Sequence, residues 1–171
     1  MKNITLRPAA SAADIAEIAR LGGVIWREHY GPILAEGQVD YMLERFQSEA
    51  AIAAGIAEGG YQYRLICLDG RPVGYAGYVF EAEALFLSKL YLLREARGCG
   101  AGRYVMDVLR AAAAERGRPV IYLTVNRNNT GSIAFYEAMG FVKARTQVAD
   151  IGGGYVMDDY IMELRVQEAG A

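Results

Sequence analysis

The chain has 171 residues, a hydrophobic content of 53% and a formal net charge of −2. This length allows one domain with a full hydrophobic core. The charges form no basic cluster, so nucleic acid is not expected as a main partner, because binding it requires a concentrated positive field. No apolar run approaches the roughly 20 residues that cross a bilayer, so no membrane role is expected.

The compartment is predicted from the N-terminus and the cysteines. The first residues lack the apolar core of a signal peptide. Only two cysteines are present, Cys67 and Cys99, and they lie far apart in different contexts. Neither a disulfide framework nor a thiolate metal site is therefore expected. The sequence predicts a cytoplasmic protein without a bound metal.

The N-terminal third is predicted to be helical after one short strand at 4–7. Ser11 is a suitable N-cap for the first helix. Helical segments are expected at 12–21, 24–30, 39–46 and 48–56. Gly22-Gly23 is expected to interrupt the first two, because glycine in a helix interior is unfavourable.

The pattern then changes to the period of β-strands. Asp69-Gly70 between the β-rich runs 61–68 and 73–80 predicts a hairpin, because this dipeptide favours a tight turn. Further strands are expected at 84–92, 120–125, 142–149 and 155–164, and helices at 102–115 and 130–139. The apolar run 120–125 is typical of a strand buried on both faces. The order predicts one α/β (α+β) domain, with helices first and then a mixed sheet carrying two helices.

Three glycines lie within five positions at residues 97–102 (RGCGAG), between a predicted strand and a predicted helix. Gly102-Arg103-Tyr104 does not supply the Gly-Lys-Ser/Thr of a Walker loop. A dinucleotide loop also requires glycine or alanine where this chain has Arg103 or Val105.

An anion site is the favoured interpretation of this glycine loop, defined as residues 97–102. Backbone N–H groups without side chains in the way, at the positive end of a helix dipole, bind groups such as pyrophosphate. Arg97 and Arg103 add positive charge. The alternative is that the glycines only permit a tight turn.

The spacing Arg97-x-x-Gly100-x-Gly102 after an apolar strand resembles the acetyl-CoA loop of the GCN5-related N-acetyltransferases (GNAT). Residues 129–141 (NTGSIAFYEAMGF) are similar to that family's motif N-x-x-A-x-x-F-Y-x-x-x-G-F, with Ser132 in place of the usual alanine. The resemblance covers about residues 60–165. The helical start and the ending VMDDYIMEL look most similar to bacterial polyamine acetyltransferases of the PaiA type.

The resemblance implies one GNAT domain over residues 1–171, with a mostly antiparallel sheet whose strands splay apart around acetyl-CoA. Residues 1–60 would form a helical cap on the acceptor side, and residues 61–165 the acetyl-CoA-binding core. Acetyl-CoA would be the co-substrate, a small-molecule amine the acceptor, and no metal would be needed. Relatives are often dimers, so a homodimer is an option, although no residue here marks an interface.

The same resemblance implies a set of cofactor-binding residues. The backbone of Leu90, Tyr91 and Leu92 would pair with the pantetheine arm as an added strand does. The pyrophosphate would lie against Arg97, Gly98, Cys99, Gly100, Ala101, Gly102 and Arg103. Asn129, Ser132 and Tyr136 would complete the set. Plainer alternatives are core packing for Leu90 and Leu92 and helix capping for Asn129, while Cys99 could be a reactive thiol at a helix N-terminus.

Tyr136 is the predicted general acid. Acetyl transfer from a thioester to an amine leaves a thiolate that needs a proton, and tyrosines at this position of the family's motif supply it. The alternative is that Tyr136 packs as a core aromatic beside Phe135 and Phe141.

No general base stands out in the sequence. An alkylammonium has a pKa of ~10.4, so forming the neutral amine at pH 7 costs roughly 4–5 kcal/mol, and the site must desolvate it or supply a base. Many relatives carry a carboxylate on the strand before the loop, but residues 87–91 read LSKLY. The substitutes to consider are His29, Glu81, Glu83, Asp158 and Asp159.

Acids and aromatic residues recur where the acceptor is expected: Trp26, Glu28, Tyr30, Tyr41, Tyr155, Asp158 and Asp159. Both residue types attract cationic amines. The sequence therefore favours an acetyl-CoA-dependent N-acetyltransferase that acts by direct attack on a polyamine or another small cationic amine. The alternatives are a protein, peptide, amino-acid or antibiotic N-acetyltransferase, and a non-catalytic acyl-CoA-binding sensor.

Overall fold

The computed structural model of the chain describes residues 2–167. Its helices and strands are, in chain order, β1 (Ile4–Pro8), α1 (Ala12–Tyr30), α2 (Gln38–Phe46), α3 (Glu49–Glu58), β2 (Gln62–Leu68), β3 (Arg71–Phe80), β4 (Ala84–Leu92), a 3-10 turn (Arg94–Ala96), α4 (Ala101–Glu115), β5 (Val120–Asn126), α5 (Thr130–Ala138), β6 (Val142–Gly152) and β7 (Tyr155–Arg165). No helix of the described residues is long and apolar enough to cross a membrane.

The strands form a seven-stranded sheet in the order β1-β2-β3-β4-β5-β7-β6. The β1–β2, β2–β3, β5–β7 and β6–β7 pairs are antiparallel, and the β4–β5 pair is parallel. This confirms the predicted α/β architecture with a mixed, mostly antiparallel sheet flanked by helices.

The chain divides into two compact units. The first comprises the residues up to Val79 together with Lys89–Val105, and the second comprises Phe80–Ser88 and the residues from Met106 onwards. Strand β4 therefore contributes its first half to the second unit and its second half to the first. Helix α4 begins in the first unit and continues in the second.

The core of the first unit is built by the apolar face of α1 on the sheet. Ile18, Leu21 and Ile25 are fully or almost fully buried against Leu65 and Tyr75. Ser11 caps this helix, because its Oγ accepts a hydrogen bond from Asp14 N at 3.1 Å. The predicted cap is confirmed.

The predicted interruption of α1 at Gly22-Gly23 is wrong, because the helix runs unbroken from Ala12 to Tyr30. The reason is tertiary packing. A Cβ added at Gly22 would lie 2.9 Å from Tyr75 Oη, so glycine allows the helix to approach this fully buried ring. The contact outweighs the unfavourable helix propensity of the two glycines, about 1 kcal/mol each.

Gly22→Ala is expected to lower the melting temperature by several degrees. The added methyl group meets Tyr75 Oη, which cannot move freely because it donates to Gln47 Oε1 at 2.9 Å. Overpacking costs about 1–3 kcal/mol, more than the roughly 1 kcal/mol gained in helix propensity.

Gly23→Ala is the matched control for thermal unfolding. A Cβ there meets only the exposed Arg27 guanidinium, at 3.2 Å, and that group can turn aside. This variant is expected to be as stable as the wild type or more stable. Equal melting temperatures for the two variants would contradict the role assigned to Gly22.

Strand β5 departs from the prediction of burial on both faces. Ile121, Leu123 and Val125 are buried, but Tyr122 is half-buried and Thr124 is exposed. Buried and more exposed residues therefore alternate along β5, because one face of the strand is more deeply buried than the other, although nearly all its residues are apolar.

Candidate functional site

The glycine loop connects the 3-10 turn to α4. Gly98 has φ +76° and Gly100 has φ +90°, the left-handed region that side-chain-bearing residues rarely adopt. A Cβ built at either position meets no atom within 4 Å. The backbone there borders open space directly before Ala101, where α4 begins. This arrangement can hold a phosphate group against main-chain N–H groups at a helix N-terminus.

The side chains of the loop divide into two sets. Ala101 is buried and Cys99 is half-buried, and the Cys99 thiol donates to Ala96 O at 2.9 Å. Arg97 and Arg103 are exposed, and Arg97 Nε donates to Leu92 O at 3.3 Å. The loop is thus held from inside by small residues, while its cationic side chains reach solvent.

The end of β4 lies against the aromatic residues of the first unit. The Tyr91 ring packs on Trp26 and Tyr75, with centroids 5.3 and 5.6 Å apart, and Tyr30 lies beside Trp26 at 5.0 Å. Leu90, Tyr91 and Leu92 are only half-buried. Trp26 and Tyr30, predicted to attract the acceptor, are buried here and serve packing.

Lys89 lies on β4, the strand before the glycine loop. Its Nζ donates to Tyr63 Oη at 2.6 Å and to Phe46 O at 3.3 Å, and it lies over the Tyr61 and Tyr63 rings. Burial lowers the pKa of Lys89 from 10.5 to about 8. The sequence shows that this strand has no carboxylate. It does not show that Lys89 is partly buried, because the partners of Lys89 come from distant segments of the chain.

The remaining candidates of the N-terminal helices are dispersed. His29 is half-buried in the last turn of α1, with its ring 4.9 Å from that of Tyr30. Glu28 is exposed. Tyr41 Oη accepts from Arg45 Nη1 at 3.1 Å, so a cation of the chain itself already contacts this tyrosine.

An open cavity of about 560 Å³ lies beside α1 and α2. Its lining residues are Ala19, Gly23, Arg27, Asp40, Leu43, Glu44, Gln47 and Ser48. Asp40 Oδ1 is 3.3 Å from Arg27 Nε, so the negative charge of Asp40 in the cavity wall is balanced by Arg27. No predicted site residue lines this cavity among the residues that the structure describes.

In the second unit, the end of β5 leads into α5. Asn129 is 2% exposed and caps α5, since its Oδ1 accepts from Ser132 N at 3.3 Å. The structure therefore shows the capping role of Asn129, while cofactor contacts of Asn129 and Ser132 remain a prediction.

Tyr136 is buried within α5, with 9% of its surface exposed. Its ring centroid lies 5.2 Å from that of Phe135 and 5.5 Å from that of Phe141. The ring is thus fixed by aromatic packing, which orients the hydroxyl on a rigid support. The catalytic role of that hydroxyl remains a prediction.

Glu81 is exposed and engaged. Its Oε1 accepts from Tyr122 Oη at 2.7 Å, and its carbonyl accepts from Arg118 Nε at 2.6 Å. The structure gives this carboxylate a role in joining the β3–β4 turn to the strand beside it.

The two adjacent aspartates of β7 differ sharply. Asp158 is partly exposed and its Oδ1 lies 2.9 Å from Arg127 Nε, an ion pair without hydrogen-bond geometry. Asp159 is 6% exposed, and its Oδ1 has no hydrogen-bond partner among the described residues. Burial, and to a lesser extent the charge of Asp158, raise the pKa of Asp159 to about 6. No group of three or more metal-ligating side chains occurs between residues 2 and 167.

Comparison with known sequences places these features among acetyltransferases. A sequence model of the Acetyltransferase (GNAT) family matches residues 24–141. An uncharacterized N-acetyltransferase of Mycobacterium bovis is 37% identical over 95 residues, 55% of this chain and 60% of that protein. The match thus spans less than two thirds of the length of this relative.

Two solved structures share the fold. PaiA N-acetyltransferase from Thermoplasma acidophilum, in complex with coenzyme A, has a TM-score of 0.76 at 19% identity, covering 95% of this chain and 99% of that one. The spermidine/spermine N-acetyltransferase SpeG from Vibrio cholerae has a TM-score of 0.67 at 18% identity, with 95% and 93% covered. At these identities the likeness is one of architecture.

Proposed function

The chain belongs to the GNAT family of acetyltransferases, and on this premise we propose that it transfers the acetyl group of acetyl-CoA to a primary amine. The observation that carries the proposal is the glycine loop. Two left-handed glycines with open space at their Cβ positions stand directly before the N-terminus of α4. This backbone suits the pyrophosphate of CoA, with Arg97 and Arg103 adding positive charge.

The chain's own residues have separate tasks in this proposal. The backbone of Leu90–Leu92 binds the pantetheine arm, and the glycine loop binds the pyrophosphate. When bound, acetyl-CoA supplies the thioester carbonyl that the amine attacks. Tyr136 holds a proton for the sulfur that leaves, on a ring fixed by Phe135 and Phe141. Attack is direct, and no covalent enzyme intermediate is needed.

For the acceptor we propose a small cationic amine of the polyamine class. The support is the fold shared with SpeG, which is named as a spermidine/spermine N-acetyltransferase, together with the small excess of acidic residues, 20 against 18 basic ones. The carboxylate of Asp159 in β7 adds a negative group whose buried Oδ1 has no hydrogen-bond partner among residues 2–167.

Free thiol released from acetyl-CoA tests the proposal. Spermidine is expected to give thiol release and a product heavier by one acetyl group, while an amino acid and a peptide with a free N-terminus serve as competing acceptors. Turnover with the peptide alone would reject the small cationic acceptor and retain acetyl transfer. CoA binding without turnover on any amine would instead favour an acyl-CoA sensor.

A further inference from the structure

Three polar side chains come together where β5 ends. Among the described residues only five polar or charged side chains, tyrosine aside, are buried, and Asn126, Asn129 and Asp159 are three of them. Asn126 on β5 is registered opposite Asp159 on β7, so their side chains share one face of the sheet. Asn129 N donates to Asn126 O at 2.9 Å, in the turn that starts α5.

The two asparagines serve local structure. Asn126 Oδ1 accepts from Asn128 N at 2.9 Å, and Asn129 Oδ1 caps α5. Asp159 differs from them, because its Oδ1 is buried without a hydrogen-bond partner among the described residues. A buried carboxylate oxygen without a hydrogen-bond partner destabilises the fold, since it loses its hydration without replacement. Such a group is therefore explained by a ligand better than by folding.

The cations of the neighbouring elements are already engaged. Arg127 pairs with Asp158 and lies 5.3 Å from the Tyr160 ring centroid, while Lys143 Nζ lies 4.5 Å from the same ring. Arg145 pairs with Glu163. None of these three cations is paired with Asp159, so among them the carboxylate has no counter-ion.

The neighbours registered with Asp159 are uncharged. They are Asn126 on β5 and Gln147 on β6. On its own strand the adjacent charge is Asp158, which Arg127 partly neutralises. No positive charge is registered beside Asp159 to favour its ionised form, and the adjacent charge of Asp158 favours its protonated form.

We propose that the Asp159 carboxylate receives the ammonium group of the acceptor and takes its proton, so that this residue is the general base of the reaction. The assignment rests on the proposed acetyl transfer. It also places the base on β7, in place of the carboxylate that β4 lacks. Asp159 is registered with Asn126, and Arg127 N donates to Asp158 O at 3.1 Å, so Asp159 lies beside the turn that precedes α5.

The proton transfers balance. Asp159 removes one proton from the ammonium, which leaves a neutral amine with a free electron pair. As the C–N bond forms and the C–S bond breaks, Tyr136 gives its proton to the sulfur and regains one from the nitrogen. Asp159 then returns its proton to solvent. A pKa of about 6 for Asp159 means that the carboxylate is mostly ionised at pH 7 and ready to accept.

Asp159→Asn is the test, with spermidine as the acceptor. At pH 7 kcat/KM for spermidine is expected to fall about 100-fold, while CoA affinity stays as in the wild type. As the pH rises towards the pKa of the ammonium, the ratio of wild-type to variant kcat/KM is expected to fall about tenfold per pH unit. The reason is that more of the amine is then already neutral and needs no base. The melting temperature should be unchanged or raised, since the neutral amide removes a buried charge.

Glu163→Gln is the matched control on the same strand, because its carboxylate is paired with Arg145 and it is expected to keep full activity. A pH-independent deficit in Asp159→Asn, or loss of activity in Asp158→Asn but not in Asp159→Asn, would overturn the assignment. If the wild type is active and Asp159→Asn equals it, only the assignment fails. If the wild type acetylates no amine, the proposed function fails and the base assignment with it.

Discussion

Gly100→Val is expected to abolish the binding of CoA. Gly100 has φ +90°, a conformation strained for any residue with a Cβ and worst for a β-branched one. The side chain would also extend into the open space that the proposed pyrophosphate occupies. Losing two N–H bonds to phosphate, at roughly 1.5–3 kcal/mol each, raises Kd by at least about 100-fold. Titration calorimetry with CoA measures the change.

Gly117→Val is the control that separates the effect of backbone strain from the loss of CoA binding. Gly117 has φ +66° after the end of α4 and open space around its Cβ position. Both variants should lower the melting temperature, because both force valine into the left-handed region. Only Gly100→Val should lose CoA. Normal CoA affinity in Gly100→Val would show that the loop makes a tight turn and no phosphate site.

Tyr136→Phe is expected to lower kcat by about 100-fold or more, the usual contribution of a positioned proton donor. The variant removes one hydroxyl and retains the ring that packs on Phe135 and Phe141. Stability and CoA affinity should therefore stay close to those of the wild type. Steady-state rates at saturating acetyl-CoA and acceptor measure the effect.

Tyr78→Phe is the control for loss of a buried phenol hydroxyl. Tyr78 is 2% exposed, and its Oη accepts from Arg64 Nε at 3.2 Å within the first unit. This variant should lose some stability and no kcat. An unchanged kcat in Tyr136→Phe would assign Tyr136 to aromatic packing alone.

The elements set by short-range signals were predictable. The Asp69-Gly70 turn joins β2 and β3, and the predicted limits of β4 agree with Ala84–Leu92. Ser11 caps α1 as predicted. Each of these depends on a few consecutive residues, so the sequence carries the information locally.

Features set by distant contacts were not predictable. The continuity of α1 depends on the contact of Gly22 with Tyr75, a residue of β3 that is distant in the sequence. Asp158 and Asp159 are adjacent residues of the same type, so the sequence does not distinguish them. In the structure Asp158 lies beside Arg127, whereas Asp159 is buried. Adjacent residues of a strand point to opposite faces, so one position decides which aspartate lies beside Arg127 and which is buried.

Lys89 links the pH of the solution to the stability of the chain. Its pKa is about 8 in the folded protein and near 10.5 when the chain is unfolded. Between these values the unfolded chain binds more protons than the folded one, so the contribution of Lys89 to the free energy of unfolding rises with pH. Below pH 8 this lysine is charged in both states, and the folded protein bears the full desolvation cost of the ammonium group. At neutral pH the charged Lys89 therefore lowers the free energy of unfolding, and it does so from β4, the strand that would bind the cofactor. In alkaline solution Lys89 loses its proton and this destabilisation disappears.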